Sequence, residues 1–419
     1  MDKLLIRGGK KLNGTVTVSG AKNALLPAMA ASLLTDQTVV LRNVSTVRDV
    51  KTMARLLEML GKTVDWVDRE TAISIRNGED SATGEVPYEL VKTMRASVLC
   101  LGPLLARRGS ARVSLPGGCA IGARPVDLHL YGLGKMGARV AIREGYIESS
   151  AEQLFGTEIF LDKPTVTGTE NLLMAAALAE GTTVIRNAAR EPEIGDLVRL
   201  LGEMGCRIEG EGTATLTVEG VKELGGADHL VIPDRIEAAT YLIAGAMAGG
   251  KVRVEGCGPQ YLPALLELLQ NAGVALEIED RAITVTGGKD LVGRDMETAP
   301  FPGFPTDVQA QYMAMMTQAR GASVITEQVF ENRYMHVAEL RRLGASIRDS
   351  GRTAVVEGPT KLNGAQVMAT DIRASASLVL AGLVAGGETM IHRIYHLDRG
   401  YEKLEEKFGA LGADIERIK

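Results

Sequence analysis

The segment Leu115-Pro-Gly-Gly-Cys-Ala-Ile-Gly-Ala-Arg-Pro-Val-Asp-Leu-His129 sets one thiol, Cys119, among glycines that continue neither a strand nor a helix, with Arg124 close by. That composition predicts a mobile surface loop with an exposed thiol, and a neighbouring guanidinium stabilises a thiolate or assists its proton transfers. The alternative is an ordinary small loop cysteine. His129 is only a weak partner for a Cys–His pair on sequence grounds. Cys100, Cys206 and Cys257 are scattered without a CxxC spacing and are expected to be reduced, buried thiols.

A second set of residues recurs. Six apolar, small-residue stretches are each entered through a polar or charged turn: GAKNA (Lys22, Asn23), KTMRAS (Arg95), TVTGTEN, PDRIEA (Asp234, Arg235), PTDVQA (Asp307) and TDIRAS (Asp371, Arg373). A helix N-terminus presents free N–H groups and the positive end of its dipole, so a Lys or Arg there is unfavourable unless something negative offsets it. An anionic ligand is one such offset, and a salt bridge to a neighbouring carboxylate is the other. Recurrence at one structural position favours the ligand.

Other chemistry is weakly signalled. His392 and His396 are four apart in MIHRIYHL, a β-like stretch where that spacing keeps both on one face, but no Cys or carboxylate cluster completes a metal site. Neither a GxxxxGK[ST] loop nor a GxGxxG following a strand is present.

The elements that must position these residues form a repeat. An amphipathic segment, a Gly, two residues and a strand recur as LLEMLGKTV, GLGKMGARV, LLGEMGCRI, LLQNAGVAL, LRRLGASI and KFGALGADI. Their glycines, Gly61, Gly137, Gly205, Gly273, Gly344 and Gly412, are spaced 68 to 76 residues apart, each where a helix ends and a left-handed residue is required. The apolar stretches precede them by about forty residues and read as helices buried on every side. Each unit thus reads strand–helix–strand–helix–strand(–strand). Lys11-Leu-Asn-Gly14 recurs as Lys361-Leu-Asn-Gly364, so an N-terminal strand is expected to join a sheet of the C-terminal half. Six units group as three plus three: residues 22–233, and residues 1–21 plus 234–419.

Composition agrees. Glycine supplies 48 of 419 residues, above the usual ~7%, while aromatics are 4%. Cores must therefore be built from Ala, Leu, Val, Ile and Met. A net charge of −5 with no basic tail argues against a nucleic-acid partner. No apolar run reaches the ~20 residues that span a bilayer, and the N-terminus MDKLLIRGG lacks a signal-peptide pattern, so a cytoplasmic location is expected. Nothing in the sequence sets an oligomeric state.

The blocks SGAKNALLP, KTMRAS, PGGCAIGARPVDLH, NAAREPEI, PDRIEA, FPTDVQAQ, VFENRYMH, ATDIRASASLVLAG and HLDRGYEKLE occur in order from end to end. In them the chain closely resembles the UDP-N-acetylglucosamine enolpyruvyl transferase (1-carboxyvinyltransferase) family of peptidoglycan synthesis. The resemblance implies an α/β fold of two domains, the inside-out α/β barrel, each with three βαβαββ units, helices inside and sheets outside, and an active site between the domains. It implies transfer of the enolpyruvyl group of phosphoenolpyruvate to the 3′-hydroxyl of UDP-N-acetylglucosamine, with release of phosphate and without metal or organic cofactor.

The resemblance also implies roles for individual residues. Cys119 matches the proton donor to the phosphoenolpyruvate methylene, the thiol that forms a covalent adduct and is alkylated by fosfomycin. Lys22 and Asn23 fall on the phosphoenolpyruvate-binding pair, and Arg124 and Arg399 on the phosphate and carboxylate clamps. Arg95, the run Arg124-Pro125-Val126-Asp127-Leu128, and Lys163-Pro164-Thr165-Val166 match stretches that hold the nucleotide-sugar. Asp307 matches the carboxylate beside the attacking hydroxyl, and Val329 a backbone contact to the uridine nucleotide. Arg373 joins the cationic cluster, and Asp234, Arg333 and Asp371 support it. Thr165 and Thr167 stand where many relatives carry Ser and Gly, which bears on the base contacts. Two alternatives stay open: enolpyruvyl transfer to another acceptor such as shikimate 3-phosphate, and a silent nucleotide-sugar-binding paralogue.

Overall fold

The structure is a computed structural model and describes residues 2–78, 85–91, 94–115, 126–288 and 290–419. These fall into two compact units. One comprises Pro233–Lys419 with the N-terminal residues 2–19, and the other the described residues of 20–232.

Each unit contains three four-stranded sheets. In every sheet a parallel edge pair is followed by two antiparallel pairings, for example Glu85–Val86, Ser110–Ser114, Tyr146–Ser150 and Arg139–Arg143 in that spatial order. In four of the six sheets the parallel pair brackets a buried helix in sequence. The step to the next strand carries an amphipathic helix ending in Gly, and in five of the six sheets a hairpin closes the unit. All six repeat glycines take positive φ, from 89° to 103°. Two sheets of the C-terminal unit are completed by N-terminal strands: Lys3–Arg7 lies between Glu388–His392 and Asp414–Ile418, and Gly14–Thr17 pairs in parallel with Gly250–Glu255.

The six apolar stretches form the interiors. Lys22–Ala31, Leu101–Arg108, Val166–Ala176, Arg235–Ala248, Gln309–Met316 and Ile372–Val384 are α-helical and mostly buried, Leu101–Arg108 over its first five residues only. Small residues allow close packing. A Cβ on Gly102 would come within 2.4 Å of the Asn171 backbone carbonyl oxygen, so Leu101–Arg108 and Val166–Ala176 approach backbone to backbone at this point.

Two prolines modify the pattern. Pro103 has no N–H for the Leu99 carbonyl, and the preceding Arg95–Cys100 winds as a 3₁₀ helix, not as α. Pro27, inside Lys22–Ala31, likewise removes the intrahelical donor to the Asn23 carbonyl. Among the described residues, no helix is long and apolar enough to cross a membrane.

Candidate functional site

Cys119, Arg124 and Pro125 lie outside the described residues. The other candidates occupy the starts of the buried helices and are taken unit by unit.

In the unit of residues 20–232, Lys22 opens the helix Lys22–Ala31, with Asn23 half-buried beside it. Lys22 is 8% exposed, and its Nζ lies 3.2 Å from Oδ2 of Asp49, which is 4% exposed and sits in the first turn of Arg48–Met59. An internal carboxylate therefore offsets this helix-start cation. Arg95 begins the 3₁₀ turn and acts electrostatically on His129. Val126 precedes the helix Asp127–Lys135, where Asp127 complements the dipole and Leu128 is buried. Lys163 and Pro164 are exposed in the turn that enters Val166–Ala176, whose N-cap Thr165 accepts a hydrogen bond from the Gly168 N–H.

In the C-terminal unit, Asp307 sits in the 3₁₀ turn Thr306–Val308 ahead of Gln309–Met316. Arg333 Nη2 donates to its Oδ1 at 2.7 Å, and Arg373 Nη2 and Nε donate to its Oδ2 at 2.9 and 3.2 Å. Burial alone would raise the Asp307 carboxyl, but Arg373 and then Arg333 hold it well below the usual carboxylate range. Asp371 caps Ile372–Val384 by accepting from the N–H groups of Arg373 and Ala374, so a carboxylate offsets this cation too. Arg373 is 3% exposed, and its Nη1 has no hydrogen-bond partner among the described residues. Asp234 caps Arg235–Ala248 in the same way.

A buried carboxylate orders the floor of this cluster. Glu327 accepts from the hydroxyls of Thr298 and Thr306 and from the N–H groups of Val329 and Phe330, and Thr306 in turn accepts from Arg333. The Val329 N–H is thus engaged, so a nucleotide contact from its backbone would use the carbonyl. Arg399 ends the 3₁₀ helix Ile394–Arg399, half-buried and within electrostatic reach of His396.

The structure therefore gathers Asp307, Arg373 and Arg333 into one cluster, and it ties Lys22 to Asp49. Asp49, Glu327 and Asn171 are not marked in the sequence, because their side-chain partners lie tens of residues away and no local spacing points to them. The histidine pair is corrected. The strand Glu388–His392 ends at His392, Arg393 turns into the left-handed region (φ 58°), and His396 lies in the following 3₁₀ helix, so strand alternation does not put them on one face. Among the described residues no group of three or more His, Cys, Asp or Glu could hold a metal ion. Cys100, Cys206 and Cys257 are buried, and burial pushes the Cys100 and Cys206 thiols up to about 12 and about 11, which keeps them protonated and inert.

The family model of EPSP synthase (3-phosphoshikimate 1-carboxyvinyltransferase) matches residues 6–408. A UDP-N-acetylglucosamine 1-carboxyvinyltransferase from Koribacter versatilis is 56% identical over all of this chain and 97% of its own length. One from Desulforapulum autotrophicum is 55% identical over the whole of both chains. The chain belongs to the UDP-N-acetylglucosamine 1-carboxyvinyltransferase family. Membership in this family agrees with the solved structures: the enolpyruvyl transferase NikO from Streptomyces tendae superposes with a TM-score of 0.89 at 27% identity, covering 100% of this chain and 99% of its own. EPSP synthase from Acinetobacter baumannii, at 20% identity and a TM-score of 0.78 over the whole of both chains, shares the fold. The 1-carboxyvinyltransferase family is thus built on the enolpyruvyl transferase fold, the α/β architecture described above.

Proposed function

We propose that the chain transfers the enolpyruvyl group of phosphoenolpyruvate to the 3′-hydroxyl of UDP-N-acetylglucosamine, releasing phosphate, as an early step of peptidoglycan synthesis in the cytoplasm. The observation that carries this reading is end-to-end identity of 55–56% with relatives that bear this activity in their names. Residues 22–233 and residues 1–21 plus 234–419 act as the two domains.

The reaction is an addition and an elimination. The Cys119 S–H delivers its proton to C3 of phosphoenolpyruvate, and C2 becomes electrophilic. The 3′-oxygen attacks C2 as its proton leaves toward Asp307. The tetrahedral ketal carries phosphate and carboxylate together, and Lys22, Arg124, Arg373 and Arg399 stabilise that charge. Loss of phosphate from C2 and of a proton from C3 restores the enol ether. Asn23 joins Lys22 at phosphoenolpyruvate. Arg95, Arg124 to Leu128, Lys163 to Val166, and Val329 hold the nucleotide-sugar. Because two guanidinium groups grip Asp307, it acts mainly by orienting the hydroxyl, and it accepts the proton only as that grip loosens.

Phosphate release from phosphoenolpyruvate is the test, measured with UDP-N-acetylglucosamine and separately with shikimate 3-phosphate. Turnover with the first acceptor alone is expected, and Cys119→Ser should lower it by a factor on the order of 10² or more. Turnover only with shikimate 3-phosphate, or nucleotide-sugar binding without turnover, overturns the reading.

A further inference from the structure

Tyr401 follows Arg399 by two residues and is 3% exposed. Its ring covers the Arg373 guanidinium, with Cζ 5.5 Å from the ring centroid, a cation–π distance. Its hydroxyl reaches the other two buried helices of the C-terminal unit. Tyr401 Oη lies 2.8 Å from Thr240 Oγ1 on Arg235–Ala248 and 3.2 Å from Gln311 Nε2 on Gln309–Met316. Thr240 and Gln311 are both buried.

The sense of each hydrogen bond is fixed. Gln311 Nε2 donates to the Asp307 carbonyl at 3.0 Å, which sets the way the amide faces, so Nε2 and not Oε1 meets Tyr401 Oη. Thr240 Oγ1 lies 2.9 Å from the Ile236 carbonyl and gives its proton there. The Tyr401 O–H is therefore donated to Thr240, and its oxygen accepts from Gln311. Burial raises the phenol above its ordinary value, although Arg373 opposes the shift, so the hydroxyl stays protonated. With that proton committed to the core, the hydroxyl is an anchor and the ring is the working surface.

The ring meets a guanidinium that is held at one point only. Arg373 Nε and Nη2 both donate to the same atom, Oδ2 of Asp307. A single acceptor lets the guanidinium pivot about it, and a ring against its face removes that freedom. Nη1 has no hydrogen-bond partner among the described residues, although the residue is 3% exposed. A Cβ on Gly400 would lie 3.5 Å from Nη1, which places this unpaired donor beside the chain between Arg399 and Tyr401. We infer that Tyr401 and Gln311 are positioning residues, which hold the Arg373 guanidinium and the Asp307 backbone in one frame, with Nη1 aimed at phosphoenolpyruvate while Nε and Nη2 stay on the carboxylate. This rests on the function proposed above and deepens it, since neither residue has a part there.

Steady-state kinetics against pH, on the full chain, test this. Tyr401→Leu removes the ring face. The KM for phosphoenolpyruvate should rise roughly three- to tenfold, with less change for UDP-N-acetylglucosamine, and the acid limb of kcat/KM should move up by about half a unit as Arg373 loosens from Asp307. Tyr401→Phe, which keeps the ring, should recover most of both. Gln311→Met cuts the anchor at similar volume and should shift both in the same sense by less. Phe408→Leu is the structural control: Phe408 is buried against Tyr241, ring centroids 4.9 Å apart, and its loss should lower the unfolding midpoint while leaving the limb and the KM in place. A wild-type limb and KM in folded Tyr401→Leu overturn the inference; if that variant does not fold, the same result in Gln311→Met overturns it. Equal shifts in Phe408→Leu overturn it as well. A wild type that releases no phosphate from phosphoenolpyruvate with UDP-N-acetylglucosamine overturns the functional reading itself.

Discussion

Arg333 grips Asp307 end-on, Nη2 to Oδ1 at 2.7 Å, while the other carboxylate oxygen is held by Arg373. Together they depress the Asp307 carboxyl, so its stabilising contribution is present above the ordinary carboxylate value near 3.9 and is lost as pH falls through its lower folded value. Arg333→Gln removes one of the two cations. The acid limb of the kcat/KM profile should then move to higher pH by roughly one unit, and acid unfolding should begin at higher pH. An unmoved limb in a folded variant would show that Asp307 is not the titrating group.

Lys22 and Asp49 form the corresponding pair in the other unit, both under 10% exposed. Removing one member of a buried pair leaves the other charge desolvated. Asp49→Ala should therefore destabilise the protein by roughly 3 kcal/mol in denaturant unfolding and raise the KM for phosphoenolpyruvate. Asp49→Glu, which keeps the charge, should lose less of both. If Asp49→Ala unfolds like the wild type, the pair holds nothing together.

The repeat was legible because each copy has to solve the same local problem. A helix must stop and a strand begin, and that turn needs a left-handed residue, so glycine marks it in sequence. The buried helices were legible for a related reason, since only a fully enclosed helix can be apolar on all faces. The charged clusters were not legible. Lys22 meets Asp49 27 residues away, and Asp307 meets Arg333 and Arg373 across 26 and 66 residues. The first two contacts close when the two helices of one repeat pack together, and the third only when neighbouring repeats do. The turn motifs therefore revealed the cations together with Asp307 and Asp371, but not Asp49, which offsets Lys22. The Arg95 segment is 3₁₀ and not an ordinary α-helix start, and at its end Asn171, distant in sequence, takes both the Gly102 N–H and the Val98 carbonyl that an α turn would pair with each other.

The glycine argument can be tested on one helix. Gly205, the cap after Pro192–Glu203, has φ +103°, and a Cβ there would meet nothing within 4 Å. Gly202 lies within the helix, also with open space around it, and without positive φ. Sterics being equal, only backbone conformation distinguishes the two. Gly205→Ala should destabilise by roughly 1 kcal/mol, and Gly202→Ala should stabilise by roughly 0.5–1 kcal/mol, read from denaturation midpoints. Equal effects at both sites would remove the left-handed requirement as the reason for the repeating glycine.

His229 gives a prediction of opposite pH sense to Asp307. Its side chain is 3% exposed, with Nδ1 3.0 Å from Glu203 Oε1 and Nε2 3.2 Å from Asp196 Oδ1. Burial by itself would lower the imidazole, but Asp196 and then Glu203 raise it above its ordinary value. A raised folded value means that the contribution to stability is complete below about 6.5, the unfolded value, and is lost as pH climbs through the folded one. Stability measured by urea unfolding should therefore decline across that window in the wild type. The decline should be flatter in His229→Gln, which can keep one hydrogen bond but cannot charge. Asp196 Oδ1 also accepts from the Ile232 N–H, so deprotonation of His229 loosens the same carboxylate that tethers the end of this unit. Faster amide exchange at Ile232 as pH rises, beyond the intrinsic increase and absent from His229→Gln, is the expected local sign.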